Sequence, residues 1–564
     1  MSFNKRKHSF KFLNATQFLG ALNDNVFKLI LVYFIINLQG LPDASSILAK
    51  AGAVFVVPFL LFSAAAGVLA DKISKRNIIV AMKIAEVIVM AFSIFAVAFK
   101  SPMLFYSLLF FMGMQSAVFG PSKYGIIPEI VDPKYVSKAN GALNTFTYLA
   151  IIIGTFLASF ITDISNKNFI LASIFCVIIA AIGLSTSFGI IKTPAKKSKK
   201  KINPLFIYEI YKTLVICSKK RYLISAVLGS AFFLFIGGFA QLNTIPYAIE
   251  SLHLTEVGGG YLFLATAVGV AIGSTLAGRL SKDRIELGLA CLSGFFVGIV
   301  FIMLGIFSHN LYVVIILLVL LGFFGGIYLI PFDSFIQIAS PDKKRGRIIA
   351  AANFLSFCGV LLAAFFLYLI SSTLKFSSAN GFLFVGFLAL IFNVFITGRM
   401  SEMFFSYFSR KILLKFFKIR VNNIPTPSSY IILLEGSWLE VFLLFSFLPN
   451  LKVFSLGKVM RNFPYFRGFL NSLYLIKRRR NKRYSLKRLF AKTKKYKRRI
   501  NFVCLFLGKK FPKKDLKVFL KSSYAKNYPE PIFLKIKRED RLIHYNFIKR
   551  QRPSSQEKNT DQKA

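Results

Sequence analysis

Between Phe12 and about Thr397 the chain is a succession of apolar runs of roughly twenty residues, and the Lys and Arg of the intervening loops fall almost wholly in every second gap. A helix needs about 20 residues to cross a hydrocarbon core of about 30 Å, so each run is a membrane span. Twelve are expected, near residues 12–38, 51–70, 77–98, 102–121, 141–163, 168–191, 222–244, 258–280, 286–307, 311–331, 348–370 and 380–398. The even-numbered connections carry Lys72, Lys75 and Arg76, then Lys123, Lys134 and Lys138, the Lys-rich stretch from Lys192 to Arg221, Arg279, Lys282 and Arg284, and Lys343 to Arg347. The odd ones hold little more than Lys50, Lys100, Lys167 and Lys375. Cytoplasmic loops collect Lys and Arg, so both termini are expected on the cytoplasmic side. Lys5, Arg6, Lys7 and Lys11 precede a stretch too long for a signal peptide, which reads as the first, uncleaved span.

The basic residues divide the chain further. Of 73 Lys and Arg about 39 follow residue 400, so the formal charge of +50 is concentrated in a tail. Cys176, Cys217, Cys291, Cys358 and Cys504 are scattered without paired or metal-ligand spacing and read as small core residues. No metal and no cofactor is expected. The segment with Pro194 and the run Lys196 to Lys201 separates two sets of six spans. The expected domains are a first six-helix half at 1–191, a cytoplasmic linker at 192–221, a second half at 222–400, a basic region at 401–545 and a disordered polar tail at 546–564.

The halves repeat: Pro121, Asp132 and Lys134 return 210 residues on as Pro331, Asp342 and Lys344, and Gly67 to Asp71 has a weaker echo in Gly273 to Ala277. Two six-helix halves of matching design enclose a shared cavity near the midplane, and rocking one half against the other gives alternating access. Transport follows as the expected function.

Certain residues carry a resemblance. Gly67-Val68-Leu69-Ala70-Asp71-Lys72-Ile73-Ser74-Lys75-Arg76 is similar to the loop signature of the major facilitator superfamily, with Ser74 where a second glycine is usual. Leu22 to Lys28, Phe119 to Pro128, and Pro331 to Gln337 with Pro341, Arg345-Gly346-Arg347 and Asn353 resemble the bacterial lysophospholipid transporter family. The resemblance covers roughly residues 10–400. It implies an all-α bundle of twelve membrane helices with a small α/β acyltransferase-like region at the C-terminus. It also implies a substrate of the lysophosphatidylethanolamine type, delivered to the inner leaflet, where a separate acyltransferase or an acyl-carrier-protein synthetase completes reacylation. The loop signature alone would equally allow a carrier of another amphiphile or a drug.

The residues point the same way without the family. Asn23, Asp24, Asn25 and Lys28 sit within a span, where an ionisable side chain costs several kcal/mol unless it meets a partner or a wet cavity. Asp24 and Lys28 share a helix face, as do Lys83 and Glu86, so each pair is either a neutralised structural pair or a substrate contact. A zwitterionic head group needs cations for phosphate and a carboxylate or amide for ammonium. The candidate substrate-binding residues are Asn23, Asp24, Asn25, Lys28, Lys83, Glu86, Lys123, Tyr124 and Gln337. Lys123 could instead be a loop cation obeying the charge rule. Asp71, Lys72, Arg76, Arg345 and Arg347 are candidate gating residues: an Asp at a helix end can be clasped by cations or a helix N-terminus when the cytoplasmic mouth is shut. The alternative is a fixed topology anchor, and Lys75 is assigned to it. Eight glycines, Gly154, Gly237, Gly238, Gly269, Gly273, Gly322, Gly325 and Gly326, read as close helix packing.

In the tail, Arg410 to Arg420 and the apolar run Ile431 to Leu434 lead into Glu435-Gly436-Ser437-Trp438-Leu439-Glu440. This resembles the start of the glycerolipid acyltransferase domain, whose hexapeptide has the form H-x-x-x-x-D. There His is the general base and Asp orients it. Glu435 and Glu440 stand at those two positions, and a carboxylate of ordinary pKa near 4.3 is a feeble base for an alcohol. Val503 to Gly508 lacks the Glu of that domain's Pro-Glu-Gly element, and Pro531 to Leu534 reads as a strand near the domain's end. The tail is expected to be a degenerate acyltransferase and the chain not an enzyme, which sets aside a bifunctional transporter and acyltransferase. Its basic runs, Lys477 to Arg483 and Lys492 to Arg499, are expected to meet an anionic lipid surface, not nucleic acid.

Overall fold

The computed structural model describes residues 3–39, 44–200, 202–203, 205–254, 256–281, 284–423, 429–433, 438–448, 451–456, 473–476, 502–506, 531–539 and 542–549. Among them twelve helices are long and apolar enough to cross a membrane. In chain order the long helices are α1 (Phe3–Gln39), α2 (Ala44–Lys72), α3 (Lys75–Ala98), α4 (Pro102–Ile130), α5 (Val136–Ile164) and α6 (Phe169–Phe188), then a short helix α7 (Phe206–Lys219), then α8 (Leu223–Leu252), α9 (Glu256–Leu280), α10 (Leu287–Ile306), α11 (Leu311–Ala339), α12 (Arg345–Tyr368) and α13 (Ser378–Arg399).

Each set of six builds its own core. In the first, Phe27 and Phe34 of α1 pack on Phe105 of α4, and Phe34 also meets Phe169 of α6. In the second, Phe382 of α13 gathers Phe239, Tyr247 and Phe301. Lipid tails give no hydrophobic drive for helix association, so close backbone approach matters. Gly322 and Gly326 of α11 meet the backbone of Thr266 and Val270 on α9, and a side chain at Gly154 would collide with the Leu22 carbonyl. Gly237 departs from the expected packing role, with open space around its Cα, because it borders the cavity described below.

The helix starts opposite the basic loops carry polar caps. Ser101 accepts a hydrogen bond from the Leu104 amide at 3.3 Å, Asn168 from those of Ile170 and Leu171 at 3.2 and 3.3 Å, and Asn310 from that of Val313 at 3.2 Å. The spans expected to stop at Pro121 and Pro331 run on to Ile130 and Ala339, with Pro121, Pro128 and Pro331 inside the helices. Neighbouring helices absorb an internal proline in a membrane bundle. The polar stretch after each proline ends the apolar run without ending the helix, so Lys123 and Tyr124 are helical residues and not loop residues.

Residues from 394 onward form a separate compact unit. Its sheet has the order β1-β7-β6-β2-β5-β3-β4, built from β1 (Lys418–Asn422), β2 (Ser429–Leu433), β3 (Leu451–Leu456), β4 (Leu473–Ile476), β5 (Phe502–Phe506), β6 (Pro531–Glu539) and β7 (Leu542–Lys549). Every pairing is parallel except β6 with β7. The expected strand at Pro531 is β6, and a helix, Trp438–Leu444, follows β2. Glu440 is buried in that helix, and its carbonyl accepts a hydrogen bond from the Tyr545 hydroxyl at 2.8 Å. Glu435 and the basic runs at 477–483 and 492–499 lie outside the described residues.

Candidate transport cavity and its closed end

A cavity of about 560 Å³ lies between the two six-helix sets. Its walls differ in chemistry. Helices α1, α3 and α4 contribute Asp24, Lys28, Lys83, Glu86 and Lys123, together with Gln17, Asn25, Gln115, Ser116 and Tyr124. Helices α8 to α12 contribute Phe233, Leu234, Ile236, Phe263, Val297, Phe301, Leu321, Leu329, Phe357 and Val360, with a single charged residue, Asp333. Three ammonium groups and three carboxylates therefore line one space, five of the six from the first half.

The charges are held in two ways. Lys83 Nζ lies 2.6 Å from Glu86 Oε2, and Asn23 Nδ2 donates to Glu86 Oε1 at 3.0 Å. Both members of the pair are almost sealed from solvent, and Lys83 Nζ also lies 5.5 Å from the Phe119 ring centroid. Asn23 does not line the cavity; it is fully buried and fixes Glu86, which corrects its assignment as a substrate contact.

Asp24 and Lys28, by contrast, form no ion pair with each other. Asp24 Oδ2 accepts a hydrogen bond from Ser116 Oγ at 3.1 Å, Ser116 in turn accepts from Gln115 Nε2 at 2.9 Å, and Asp24 Oδ1 has no partner among the described residues. Lys123 Nζ rests 4.7 Å from the Tyr124 ring centroid and 5.5 Å from that of Phe119. Asn25 turns its amide to the Ala21 carbonyl at 2.8 Å. Asp333 is held by Ser230 Oγ at 2.8 Å. Reading the residues alone left out Asp333, yet it stands 210 residues beyond Lys123, at the repeat's own offset, and that was the available signal.

At the basic-loop end the halves are in contact. The fully buried Asp71, in the last turn of α2, accepts the Gly346 amide at 2.7 Å, the Arg347 amide at 3.2 Å and Arg347 Nε at 3.2 Å. It thus caps the first turn of α12 from the other half, where backbone N–H groups lack partners within the helix and the dipole favours an anion. Gly67 and Gly346 make the approach possible: a Cβ on Gly346 would stand 2.7 Å from the Gly67 carbonyl.

A second cross-half contact is a reciprocal amide pair. Asn140 Nδ2 donates to Gln337 Oε1 at 3.1 Å and Gln337 Nε2 donates to Asn140 Oδ1 at 2.8 Å, with Ser334 Oγ accepting a further bond from Asn140 at 3.1 Å. Gln337, taken from the sequence as a substrate contact, borders the cavity but has its amide committed to this pair. The linker adds Lys196, whose Nζ lies 3.9 Å from both Glu129 and Asp342.

Other gating candidates stay within one half. Arg76 donates to the carbonyls of Ile190 at 3.3 Å and Phe188 at 3.4 Å, closing the end of α6. Arg345 donates to the Gln337 carbonyl at 2.8 Å and to Asp342 at 2.6 Å, closing the end of α11. Lys72 is half-exposed and makes no hydrogen bond or ion pair with a described residue. Lys75, assigned from the sequence to a fixed topology anchor, is buried against Glu129 at 2.7 Å. Burial of an ammonium requires such a partner, and Glu129 was not singled out.

Twelve spans in two repeated halves, a charged cavity between them and a shut end define a polytopic membrane carrier. The Major Facilitator Superfamily model matches residues 13–364 and again 227–475, and the chain belongs to that superfamily. It is similar to the "Lysophospholipid transporter LplT" of Pectobacterium carotovorum subsp. carotovorum (strain PC1), 25% identical over 342 residues that cover 60% of this chain and 80% of that protein. The LplT of Salmonella heidelberg (strain SL476) is 26% identical over 345 residues, 60% of this chain and 82% of that protein. Among solved structures, FucP in the outward conformation superposes with a TM-score of 0.57 at 17% identity, over 70% of this chain and 99% of that one. A bacterial homologue of the iron transporter ferroportin, in an outward-facing state, gives 0.56 at 12% identity, over 70% and 99%. These two likenesses concern the fold alone.

Proposed function

We propose that this protein carries lysophospholipids of the lysophosphatidylethanolamine type across the membrane by alternating access. One observation carries the reading: the cavity is amphiphilic, with charges of both signs on the first half facing a mostly apolar wall on the second, whose one charge is Asp333. A zwitterionic head group with one acyl chain matches that division. The phosphate goes to Lys123 and Lys28, where N⁺–H to O⁻ bonds are about twice as strong as neutral ones. The ammonium goes to the free oxygen of Asp24 and to Asp333, and the chain lies against Phe233, Phe263, Phe301 and Phe357. Lys83 and Glu86 neutralise each other and shape the floor. The two LplT relatives support the substrate class.

Asp71 and Arg347 act as the closure of the cytoplasmic side, since their end carries the basic loops, and both termini lie on that side. Opening it requires α2 to release the start of α12. The basic C-terminal unit is a degenerate acyltransferase apposed to anionic lipid, and reacylation falls to a separate enzyme. The test is uptake of labelled lysophosphatidylethanolamine by proteoliposomes holding the full chain. Uptake lost in Asp24→Asn and in Lys123→Ala is expected; uptake unchanged in both refutes the cavity assignment, and no uptake by the unaltered chain refutes the substrate class.

A further inference from the structure

Helix α4 carries more of the head-group site than Lys123. Gln115, almost sealed from solvent, donates its Nε2 to Ser116 Oγ at 2.9 Å, and the Ser116 hydroxyl donates onward to Asp24 Oδ2 at 3.1 Å. The amide takes a lone pair of the serine oxygen, so the one hydroxyl proton is turned to the carboxylate. Asp24 is thus aimed by a helix other than its own. Its Oδ2 is taken, and Oδ1 is buried without a partner among the described residues. An unpaired buried oxygen of this kind is costly, so a cationic donor from a ligand gains most there.

The same face of α4 holds the opposite charge. Phe119 and Lys123 follow Ser116 at three and seven residues, spacings that keep all three on one side of a helix. Lys123 Nζ lies within cation–π distance of the Phe119 and Tyr124 rings, which holds the ammonium close to α4. Phe119 is itself buried, with Lys83 of the locked Lys83–Glu86 pair over its ring as well, so the platform is fixed. The helix continues through Pro121 to Ile130, and the step from Ser116 to Lys123 is two turns, about 10.5 Å at 1.5 Å per residue.

We propose that α4 gauges the length of the head group. Through Ser116, held by Gln115, it fixes the carboxylate that takes the amine; through Phe119 it fixes the cation that takes the phosphate; and the constant span between them selects the arm that joins amine to phosphate. Gln115, Ser116 and Phe119 are positioning residues for specificity, acting through Asp24 and Lys123. The inference rests on the lysophospholipid reading above and adds to it the feature of the lipid that is measured. An arm one methylene longer than ethanolamine must buckle or leave one charge unmatched, and a methylene in a fitted site is worth about tenfold or more.

Proteoliposomes of the full chain are given labelled lysophosphatidylethanolamine and, separately, its propanolamine analogue. The unaltered chain is expected to take up the first about tenfold faster. In Ser116→Ala the preference is expected to fall below about threefold, and in Ser116→Thr, which keeps the hydroxyl, to return. A preference absent from the unaltered chain, or kept in Ser116→Ala, overturns the gauge. Uptake of neither lipid by the unaltered chain refutes the substrate reading, and infrared spectra of the chain labelled with 13C-aspartate then decide the positioning without transport. The carboxyl band that Asp24→Asn removes is expected to shift in Ser116→Ala and to stay in place in Ser116→Thr. A band unmoved in Ser116→Ala shows that Ser116 does not hold Asp24 and overturns the proposal.

Discussion

Replacing Asp71 with Asn tests whether the α2–α12 contact is a clasp that sets the resting state. The carboxylate accepts three N–H bonds from Gly346 and Arg347 and is fully buried, so water compensates for none of them in the closed state. Asn keeps one acceptor oxygen and turns an NH₂ toward donors, so at least one bond to a charged group, worth about 1.5–3 kcal/mol, is lost along with the interaction with the helix dipole. A net loss of about 3 kcal/mol shifts the ratio of closed to open forms roughly 150-fold toward opening at that end. Spin labels at Ile73→Cys and Lys343→Cys, in a chain without its native cysteines, read the gap by pulsed dipolar spectroscopy. Ile73 is 43% exposed at the end of α2, and Lys343 is exposed just before α12. The expected result is a single short distance for the parent and a second, longer population in Asp71→Asn. An unchanged distribution would show that the seam is held by packing alone and that Asp71 is a fixed cap.

Lys83→Met leaves Glu86 buried without its cation and is expected to cost about 3–5 kcal/mol, seen as a lowered melting temperature, whereas Lys83→Met with Glu86→Gln, which keeps the acceptor for Asn23, recovers most of it. Asn140→Leu strands the Gln337 amide and is expected to favour the open end by about 2 kcal/mol, additive with Asp71→Asn in the same distance measurement because the two contacts involve different residues. Arg347→Lys keeps the charge but loses the planar guanidinium donor, so lysolipid uptake is expected to fall less than in Asp71→Asn, while Arg76→Gln, confined to one half, leaves the spin-label distances unchanged. Proteoliposomes of the full chain given labelled lysolipid and an acyl donor are expected to form no diacyl product, and Glu435→Ala to leave uptake as it was.

The twelve spans were legible because a bilayer imposes one length and one composition. Asp71 was legible for a similar reason: an acid at a helix end beside a basic loop has few uses. The ends of α4 and α11 were not. Hydropathy drops at Lys123 and Asp333 because these residues face an enclosed cavity, and a linear scan cannot tell that from the end of a span. Glu129 and Asn140 were missed, and with them the burial of Lys75, because the partners lie 54 to 197 residues apart and only packing brings them together. The separation of Asp24 from Lys28 was equally invisible, since four residues along a helix permit a contact without requiring it.

The same repeat that built the scaffold also explains how one cavity carries both signs. Lys123 and Asp333 occupy one position of the repeat, each two residues past an internal proline in the fourth span of its half, and both line the cavity. Had both copies kept a cation, the site would suit a simple anion, and two like charges sharing a poorly hydrated space would repel one another. With opposite charges, a ligand that brings its own phosphate and ammonium can replace the Lys123–Asp333 attraction with two attractions of its own, one to each half. Such a ligand bridges the helices that must move relative to one another, which couples its binding to their rearrangement. Exchanging the pair, Lys123→Asp with Asp333→Lys, preserves the net charge and the mutual attraction but moves the cation to the apolar wall. Uptake is then expected to fall at least tenfold while the protein folds and its spin-label distances stay those of the parent. Full uptake by the exchanged protein would mean that the pair serves the scaffold and not the ligand.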